Sequence, residues 1–167
     1  MSRHTILTMI SVAVAVFATA TFAGCYRNTA FFQYHATDAA GWHSSDFLEY
    51  HVPAVQQPGY YVEEIGIRTD AGFPYRQISL VVNQNVIHTA TKQMGRFRSD
   101  TILVDILDEQ GRPIGHGTSL MQRVIPFKSL KLETGDSLSL RIRHNMSGSV
   151  VKGVTDVGLK MTFQYGD

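Results

Sequence analysis

The sequence predicts an all-β protein, an antiparallel β-sandwich of about eight strands behind a lipoprotein signal peptide. Three observations lead to this prediction. Apolar and polar residues alternate in several short segments, as they do in strands with one buried face. Turn-forming residues separate these segments at fairly regular intervals. No convincing amphipathic helix is present, so the crossovers that a parallel sheet needs are lacking. A closed barrel is the alternative arrangement of the same strands.

Eight segments are predicted to be strands. They are residues 31–35, 45–52, 60–69, 78–88, 102–106, 120–125, 138–143 and 157–165. The last two are the clearest, since Leu138, Leu140 and Ile142, for example, alternate with polar residues. The aromatic residues of the first segment have an alternative role, which is to rest on a membrane interface.

Two of these segments have more than one interpretation. The sequence Asn-Gln-Asn at residues 83–85 interrupts an apolar run, which indicates either one bulged strand or two strands. Leu120 and Val124 also fit helical spacing, and Pro126 is expected to end that segment in either case.

The first 25 residues predict export and lipid attachment. A basic opening that contains Arg3 precedes an apolar run at residues 6–20, which is shorter than the roughly 20 residues of a membrane-spanning helix. Ala-Gly-Cys follows at residues 23–25, as in bacterial lipoprotein signals, in which the cysteine receives diacylglycerol and fatty acyl chains such as palmitate. We therefore predict a leader at residues 1–24, a lipidated tether at 25–30 with Cys25 as the lipid site, and one sandwich domain at 31–167. The alternative is an ordinary secretory signal.

The charge and cysteine content exclude several classes of protein. The chain has 15 Lys and Arg residues against 14 Asp and Glu residues. Since Arg3 belongs to the leader, the remaining domain is formally neutral and has no basic stripe for nucleic acid. Cys25 is the only cysteine, so an intrachain disulfide and a thiolate metal site are both excluded.

No motif in the sequence indicates catalysis, a cofactor or a metal. The histidines are scattered without metal-ligand spacing, and no HExxH pattern occurs. The carboxylates of Asp105, Asp108 and Glu109 cluster where a hairpin turn is expected to use them. No nucleophile elbow of the G-x-S-x-G type is present. We therefore expect a protein that is not an enzyme.

Four aromatic residues are candidates for a ligand groove. Trp42, Phe73, Tyr75 and Phe97 can line such a groove, as aromatic residues do in sugar-binding sandwiches. Packing in the core or at a sheet edge is the alternative role for the same four side chains.

A series of landmarks along the chain carries a family resemblance. In order they are Gly41-Trp42, Asp70 with Phe73-Pro74-Tyr75, Asp108 with Gly111, Gly115-His116-Gly117, Pro126, Gly135, Met146 and Gly153-Val154-Thr155-Asp156-Val157-Gly158-Leu159. Together with the lipoprotein signal, this order resembles the gliding motility lipoprotein GldH family of the Bacteroidetes. The Gly-Val-x-Asp-Val-Gly-Leu stretch contributes most to the resemblance.

The resemblance implies an envelope lipoprotein that is associated with gliding and type IX secretion and is not an enzyme. It transfers no catalytic or ligand-binding residue. It implies that acyl chains hold the protein to the outer membrane and that its partners are other envelope proteins. Surface-displayed lipoproteins of this lineage often carry acidic residues just after the cysteine. None directly follows Cys25, so we expect the domain to face the periplasm. The alternative function is that of a lipid-anchored module that binds a carbohydrate or cell-wall polymer.

The resemblance also points to a modification. Asp-Thr-Ile at residues 100–102 and Asp-Ser-Leu at 136–138 fit the short acceptor pattern for O-linked glycans in this lineage. Thr101 and Ser137 are therefore candidate O-glycosylation sites. The alternative is that both residues simply begin strands.

Overall fold

The computed structural model describes residues 28–88, 93–95 and 97–165. Cys25 and the predicted leader lie outside this part of the chain. Within it every regular element is a strand, which confirms the predicted all-β class. No helix suited to spanning a membrane occurs among the described residues.

The described residues form eleven strands. They are β1 (Thr29–Ala36), β2 (Trp42–His43), β3 (Leu48–Val52), β4 (Gly59–Thr69), β5 (Gln77–His88), β6 (Gln93–Met94), β7 (Arg98–Asp105), β8 (Met121–Leu132), β9 (Ser137–His144), β10 (Val150–Val151) and β11 (Val154–Gln164). All eight predicted strands are present. The three additional strands, β2, β6 and β10, have two residues each.

The strands form two larger antiparallel sheets that pack as a sandwich, with a small ribbon of β2 and β10 beside them. Sheet I has the order β1-β11-β4-β8. In sheet II the order is β3-β9-β5, and both β6 and β7 pair with the other side of β5. The first and last strands of the domain are therefore neighbours in sheet I.

Alternating burial places the core between the two sheets. In β4 the side chains of Ile65 and Ile67 are buried and face inward, as predicted, and in β9 the buried side chains are Leu138, Leu140 and Ile142. Each buried apolar side chain of this size contributes on the order of 1.5–3 kcal/mol to folding. The sequence Asn-Gln-Asn at residues 83–85 does not divide β5, which pairs continuously with β9.

The prediction that Pro126 ends its segment is wrong. Strand β8 continues through Pro126 to Leu132. Two features allow this, because a proline inside a sheet is confined to edges and bulges. Strand β8 is an edge strand of sheet I, and its pairing with β4 shifts register between Lys128 and Pro126. A strand can therefore continue through the proline at this position.

The four longer edge strands of the sandwich differ in how they are protected from further pairing. Strand β8 has its proline and bulge, β1 is irregular between Thr29 and Phe31, and β3 has only five residues. Strand β7 is different, since all eight residues pair with β5 in unbroken register and none is proline or lysine. Short, kinked or charged edges resist pairing with another strand, so β7 is protected only by the charges of Arg98, Asp100 and Asp105.

Different strands begin and finish at the two ends of the sandwich. At the amino-terminal end β1 and β4 begin and β11 finishes, with Thr29 and Val62 both opposite Thr162. The loop at residues 53–58 closes this end, and Val55 donates its backbone N–H to the carbonyl of Asp136 at 2.8 Å. At the distal end β4 finishes and β11 begins, with Thr69 opposite Val154.

Gly153 is a point of close backbone packing at the distal end. Its φ is +79°, and a Cβ added there would lie 2.2 Å from the backbone nitrogen of Phe73. Gly153 also accepts a hydrogen bond at its carbonyl from the N–H of Asp70 at 2.9 Å. A glycine is therefore required where β11 begins beside the turn that follows β4.

We predict that Gly153→Ala lowers the free energy of unfolding by roughly 3–5 kcal/mol, the sum of positive-φ strain and overpacking. Gly111→Ala is the matched control, because Gly111 has a φ of +74° but nothing within 4 Å of an added Cβ. It is expected to cost only about 1–2 kcal/mol. Urea denaturation of both variants measures the difference, and equal losses would contradict the proposed backbone clash.

Candidate functional site

The outer face of sheet I carries the candidate site. One row of directly paired residues crosses all four strands of the sheet, from Tyr34 on β1 through Gly158 on β11 and Gly66 on β4 to Val124 on β8. The two central positions of this row have no side chain. The sheet therefore has a shallow floor at its centre, and an aromatic ring can lie flat across it.

Tyr34 occupies that floor. A Cβ built on Gly158 would lie 2.5 Å from atoms of the Tyr34 ring, and one built on Gly66 would lie 1.9 Å from its hydroxyl oxygen. Any larger residue at either position would displace the ring. A glycine inside a strand commonly marks such a close approach.

Tyr34 also organises its charged and aromatic neighbours. The guanidinium carbon of Arg68 lies 4.1 Å from the centre of the Tyr34 ring, within the range of a cation–π contact. Arg68 is oriented further by Nε, which donates to Oε1 of Gln122 at 3.0 Å. Phe32 packs edge-on against Tyr34 with ring centres 5.5 Å apart. Burial raises the pKa of the Tyr34 hydroxyl against the opposing effect of Arg68, so the hydroxyl stays protonated at neutral pH.

The next row of the sheet adds an ion pair beside the aromatic residues. Phe32, Lys160 and Glu64 lie side by side on β1, β11 and β4. Nζ of Lys160 lies 2.8 Å from Oε2 of Glu64, and both side chains are partly exposed. At such exposure the pair is worth little for stability, but it fixes the positions of two charges.

Together these side chains line an open cavity of about 330 Å³. We call it the Tyr34 face and define it by Phe32, Tyr34, Glu64, Gln122, Val124 and Lys160, with Arg68 stacked at its edge. Phe32 is 60% exposed and Val124 is 40% exposed. An exposed aromatic ring among fixed hydrogen-bonding groups suits binding, and aromatic and arginine side chains are the residues most enriched at binding hot spots.

The described residues contain no group of three or more His, Cys, Asp or Glu side chains placed to hold a metal ion.

The structure does not bring together the four aromatic residues predicted to line a groove. Trp42 is only 1% exposed and Phe73 only 6%, so both belong to the core. The Trp42 ring packs edge-on against the buried His144, and its Nε1 donates to the carbonyl of Asp46 at 3.0 Å. Tyr75 packs edge-on against Phe73 at the distal end. The alternative role, packing, is therefore the one that Trp42 and Phe73 have.

Phe97 lies far from the other three residues. It precedes Arg98, which pairs with Gln84 near the finish of β5, whereas Tyr75 comes just before β5 begins. The intervening strand separates them by roughly 20–25 Å at 3.3 Å per residue. Phe97 is 63% exposed and remains a surface residue, but it shares no groove with Tyr75.

The candidate modification sites occupy different environments. Thr101 is exposed on the edge strand β7. Ser137 is half-buried as the first residue of β9. Cys25, the candidate lipid site, lies outside the described residues.

A polar group in the core was also not anticipated. Glu63 and Gln84 are 0% and 2% exposed and face each other between the sheets, with Nε2 of Gln84 donating to Oε1 of Glu63 at 2.6 Å. Among the described side chains, neither Oε2 of Glu63 nor Oε1 of Gln84 has a hydrogen-bond partner. Lys128 lies opposite Glu63 on β8 and forms an ion pair with Asp100 of β7, so a second polar contact joins the same two sheets.

Burial raises the pKa of the Glu63 carboxyl to about 7. The charge of Lys128 and the hydrogen bond from Gln84 oppose this shift, whereas Asp100 adds to it. The carboxyl therefore titrates near neutral pH although it is inaccessible to solvent. Its position indicates a structural role in holding the two sheets together.

The sequence analysis missed the Tyr34 face, although one signal for it was present. Phe32 and Tyr34 alternate with Phe31 and His35, which pack toward the core, and Gly66 interrupts an otherwise regular strand pattern. What the pattern did not contain was the pairing that places Gly66 and Gly158 side by side under one ring.

Comparison with known proteins identifies one family. The model of the GldH lipoprotein family matches residues 29–161, which is most of the chain. No curated protein matches the sequence. Among similar solved structures is the crystal structure of tripeptidyl peptidase 2 (TPP II), with 14% identity and a TM-score of 0.47 over 79% of this chain. The chain spans about a tenth of that protein's length, since 10% of it is covered.

We predict that the stability of Glu63→Gln relative to the parent protein increases as the pH rises. Because the pKa of Glu63 is raised from 4.5 to about 7 on folding, its contribution to stability is fully present below pH 4.5 and is lost as the pH rises through 7. Glutamine does not ionise, so the variant does not lose this stability as the pH rises. The stability of the variant relative to the parent should therefore increase by roughly 2–3 kcal/mol between pH 4.5 and pH 8.

Denaturant titrations of parent and variant across this range test the prediction. Taking the difference between the two proteins removes the opposite effect of His144, whose pKa burial lowers. Glu109→Gln is the control, since that side chain is 79% exposed, and it should show no comparable trend. A parent–variant difference that does not change with pH would refute the assignment.

Proposed function

The chain belongs to the GldH lipoprotein family, and on that basis we propose that it is a non-enzymatic component of the envelope machinery for gliding motility and type IX secretion. It acts by binding protein partners, and the Tyr34 face is the surface that contacts them. The family is not a known enzyme family, which agrees with a binding role.

The single observation that supports this surface is the composition and rigidity of the Tyr34 face. Phe32 projects from the sheet with 60% of its surface exposed, while its neighbour Tyr34 is held in place by two glycines and by Arg68. Side chains that are already immobilised lose little conformational entropy when a partner binds. A protein partner covers about 800 Å² on each side, so the Tyr34 face serves as the centre of a larger contact.

The protein reaches its partners from a membrane. As a lipoprotein it is attached to the cell envelope, and we assign the attachment to Cys25, with fatty acyl chains on the cysteine. We place the domain on the periplasmic side of the outer membrane, because no acidic residue directly follows Cys25. Each buried CH₂ of an acyl chain contributes about 0.8 kcal/mol, so several chains together anchor stably.

We expect Cys25→Ala to abolish membrane attachment, leaving the protein unprocessed or soluble. Cell fractionation, detergent partitioning and intact mass measure the outcome. Protease added to intact cells should spare the parent protein if it faces the periplasm. A Cys25→Ala variant that is still processed and partitions like the parent would exclude lipidation, and rapid digestion in intact cells would exclude the periplasmic orientation.

We predict that Phe32→Ala reduces spreading and secretion in cells in which it replaces the parent gene, because it removes the exposed centre of the contact. Removal of a hot-spot aromatic side chain costs about 2 kcal/mol or more, which is roughly a thirtyfold loss of affinity. Leu103→Ala is the matched control. Leu103 is 61% exposed, close to the 60% of Phe32, but it lies on β7 in sheet II.

A photo-crosslinking residue placed at position 32 should capture specific envelope proteins in intact cells, and one at position 103 should not. Equal capture at both positions, or full spreading and secretion with Phe32→Ala, would contradict the proposed contact surface.

The same face supports the alternative function, glycan binding. An exposed ring beside Glu64 and Gln122 offers both stacking and hydrogen bonding to a sugar. Retention on purified cell-wall polymers, lost in Phe32→Ala and kept in Leu103→Ala, together with no protein crosslinks at position 32, would favour this alternative over protein docking.

A further inference from the structure

The position of Asn28 restricts how the domain can sit on its membrane. The carbonyl of Asn28 accepts a hydrogen bond from the N–H of Phe163 at 2.7 Å, so the start of the described chain is fixed against β11. Only three peptide units separate Asn28 from Cys25. A fully extended chain spans at most about 3.6 Å per residue, so Cys25 lies within about 11 Å of Asn28.

The surface around Asn28 has the composition of a membrane interface. Tyr165 is 59% exposed and Tyr60 is 53% exposed, although both are large and partly apolar. Tyr60 pairs with Gln164, the residue before Tyr165, so the two tyrosines lie at the ends of neighbouring strands, both at the amino-terminal end of the sandwich. Tyrosine is enriched where membranes meet water, since its ring prefers the apolar side and its hydroxyl the aqueous side.

Tyr165 is held in place. The ring of Phe163 packs edge-on against Tyr165, with centres 5.0 Å apart, and against Tyr61 on its other side at 5.2 Å. Tyr61 in turn donates its hydroxyl to the carbonyl of Gln57 at 2.7 Å, which ties in the loop at residues 53–58. Tyr165 therefore belongs to a firm surface at the base of the sandwich.

An exposed basic group lies beside Tyr60 at this end of the sandwich. Lys131 pairs with Tyr60 across β4 and β8, and its side chain is 64% exposed, with Nζ 3.9 Å from Oε1 of the equally exposed Glu133. A long lysine side chain can extend its ammonium group to lipid phosphates while its methylene groups follow the apolar surface. Tyr165, Tyr60 and Lys131 thus form a row across the ends of β11, β4 and β8, beside the edge strand β1 at which the chain leaves for its lipid.

From this placement we infer that the amino-terminal end of the sandwich sits directly on the lipid headgroups, with Tyr60 and Tyr165 inserted at the interface and Lys131 beside them. We call these three residues the membrane seat. The strands of sheet I then run away from the bilayer, and the distal end with Tyr75 points into the aqueous space. This inference rests on the proposed lipid attachment at Cys25.

The test uses the full-length lipidated protein in vesicles of phosphatidylethanolamine and phosphatidylglycerol that contain phosphatidylcholine brominated on its acyl chains. Bromine quenches tryptophan fluorescence only at short range, and the single native Trp42 is buried near the distal end. New tryptophans at positions 60 and 165, each in its own variant, report insertion. Tyr75→Trp is the matched control, since Tyr75 is also an exposed tyrosine, at 39%, but lies at the distal end.

We expect brominated lipid to reduce the emission of the new tryptophan by about half or more in Tyr60→Trp and Tyr165→Trp, as for residues at the interface. Little change is expected in Tyr75→Trp or in the parent protein. Flotation of each sample with its vesicles measures attachment separately. Flotation without quenching at positions 60 and 165, or with equal quenching at position 75, overturns the membrane seat and leaves lipid attachment intact. Failure to float overturns lipid attachment and the membrane seat with it.

Discussion

The burial of one face of each sheet against the other is the constraint on which this structure depends. Because side chains in a strand alternate between two faces, this constraint decides the direction of every residue once a single one is placed. It directs Ile65 and Ile67 of β4 into the core and turns Gly66 and Arg68 outward. It also takes Glu63 inside, since Glu63 has the same parity as the two isoleucines. The hydrogen bond from Gln84 and the nearby charge of Lys128 offset part of the cost of that burial.

The same alternation explains what could be predicted from the sequence. Strands with one buried face produce a local signal, so all eight predicted segments were found. Features that depend on a neighbouring strand produce no local signal. The prediction that Pro126 ends its strand was wrong because a proline is tolerated inside a strand at an edge position or a bulge. Both are properties of strand pairing. Trp42 was taken as a groove candidate because of its chemistry, yet a large indole fills a core equally well.

The core and the candidate site share their two central strands. Strands β4 and β11 supply buried side chains such as Ile65 and Leu159 on one face and the glycine floor of the Tyr34 face on the other. A binding surface built on paired strands is more rigid than one built on loops, because each position is fixed by its neighbours on both sides. The stacked Arg68 and the ring of Tyr34 are thereby positioned before any partner arrives.

The long, regular edge of β7 has a further consequence if the molecule stands upright on a bilayer, as we propose. Two copies free in solution can turn to place their β7 strands in opposite directions, as an antiparallel junction requires. Two copies standing on one bilayer leaflet point the same way, so such a junction would lift one of them off its lipid. Attachment to one leaflet thus disfavours antiparallel pairing of two β7 strands. It leaves the β7 edge accessible to strands of molecules that are not held in the same orientation.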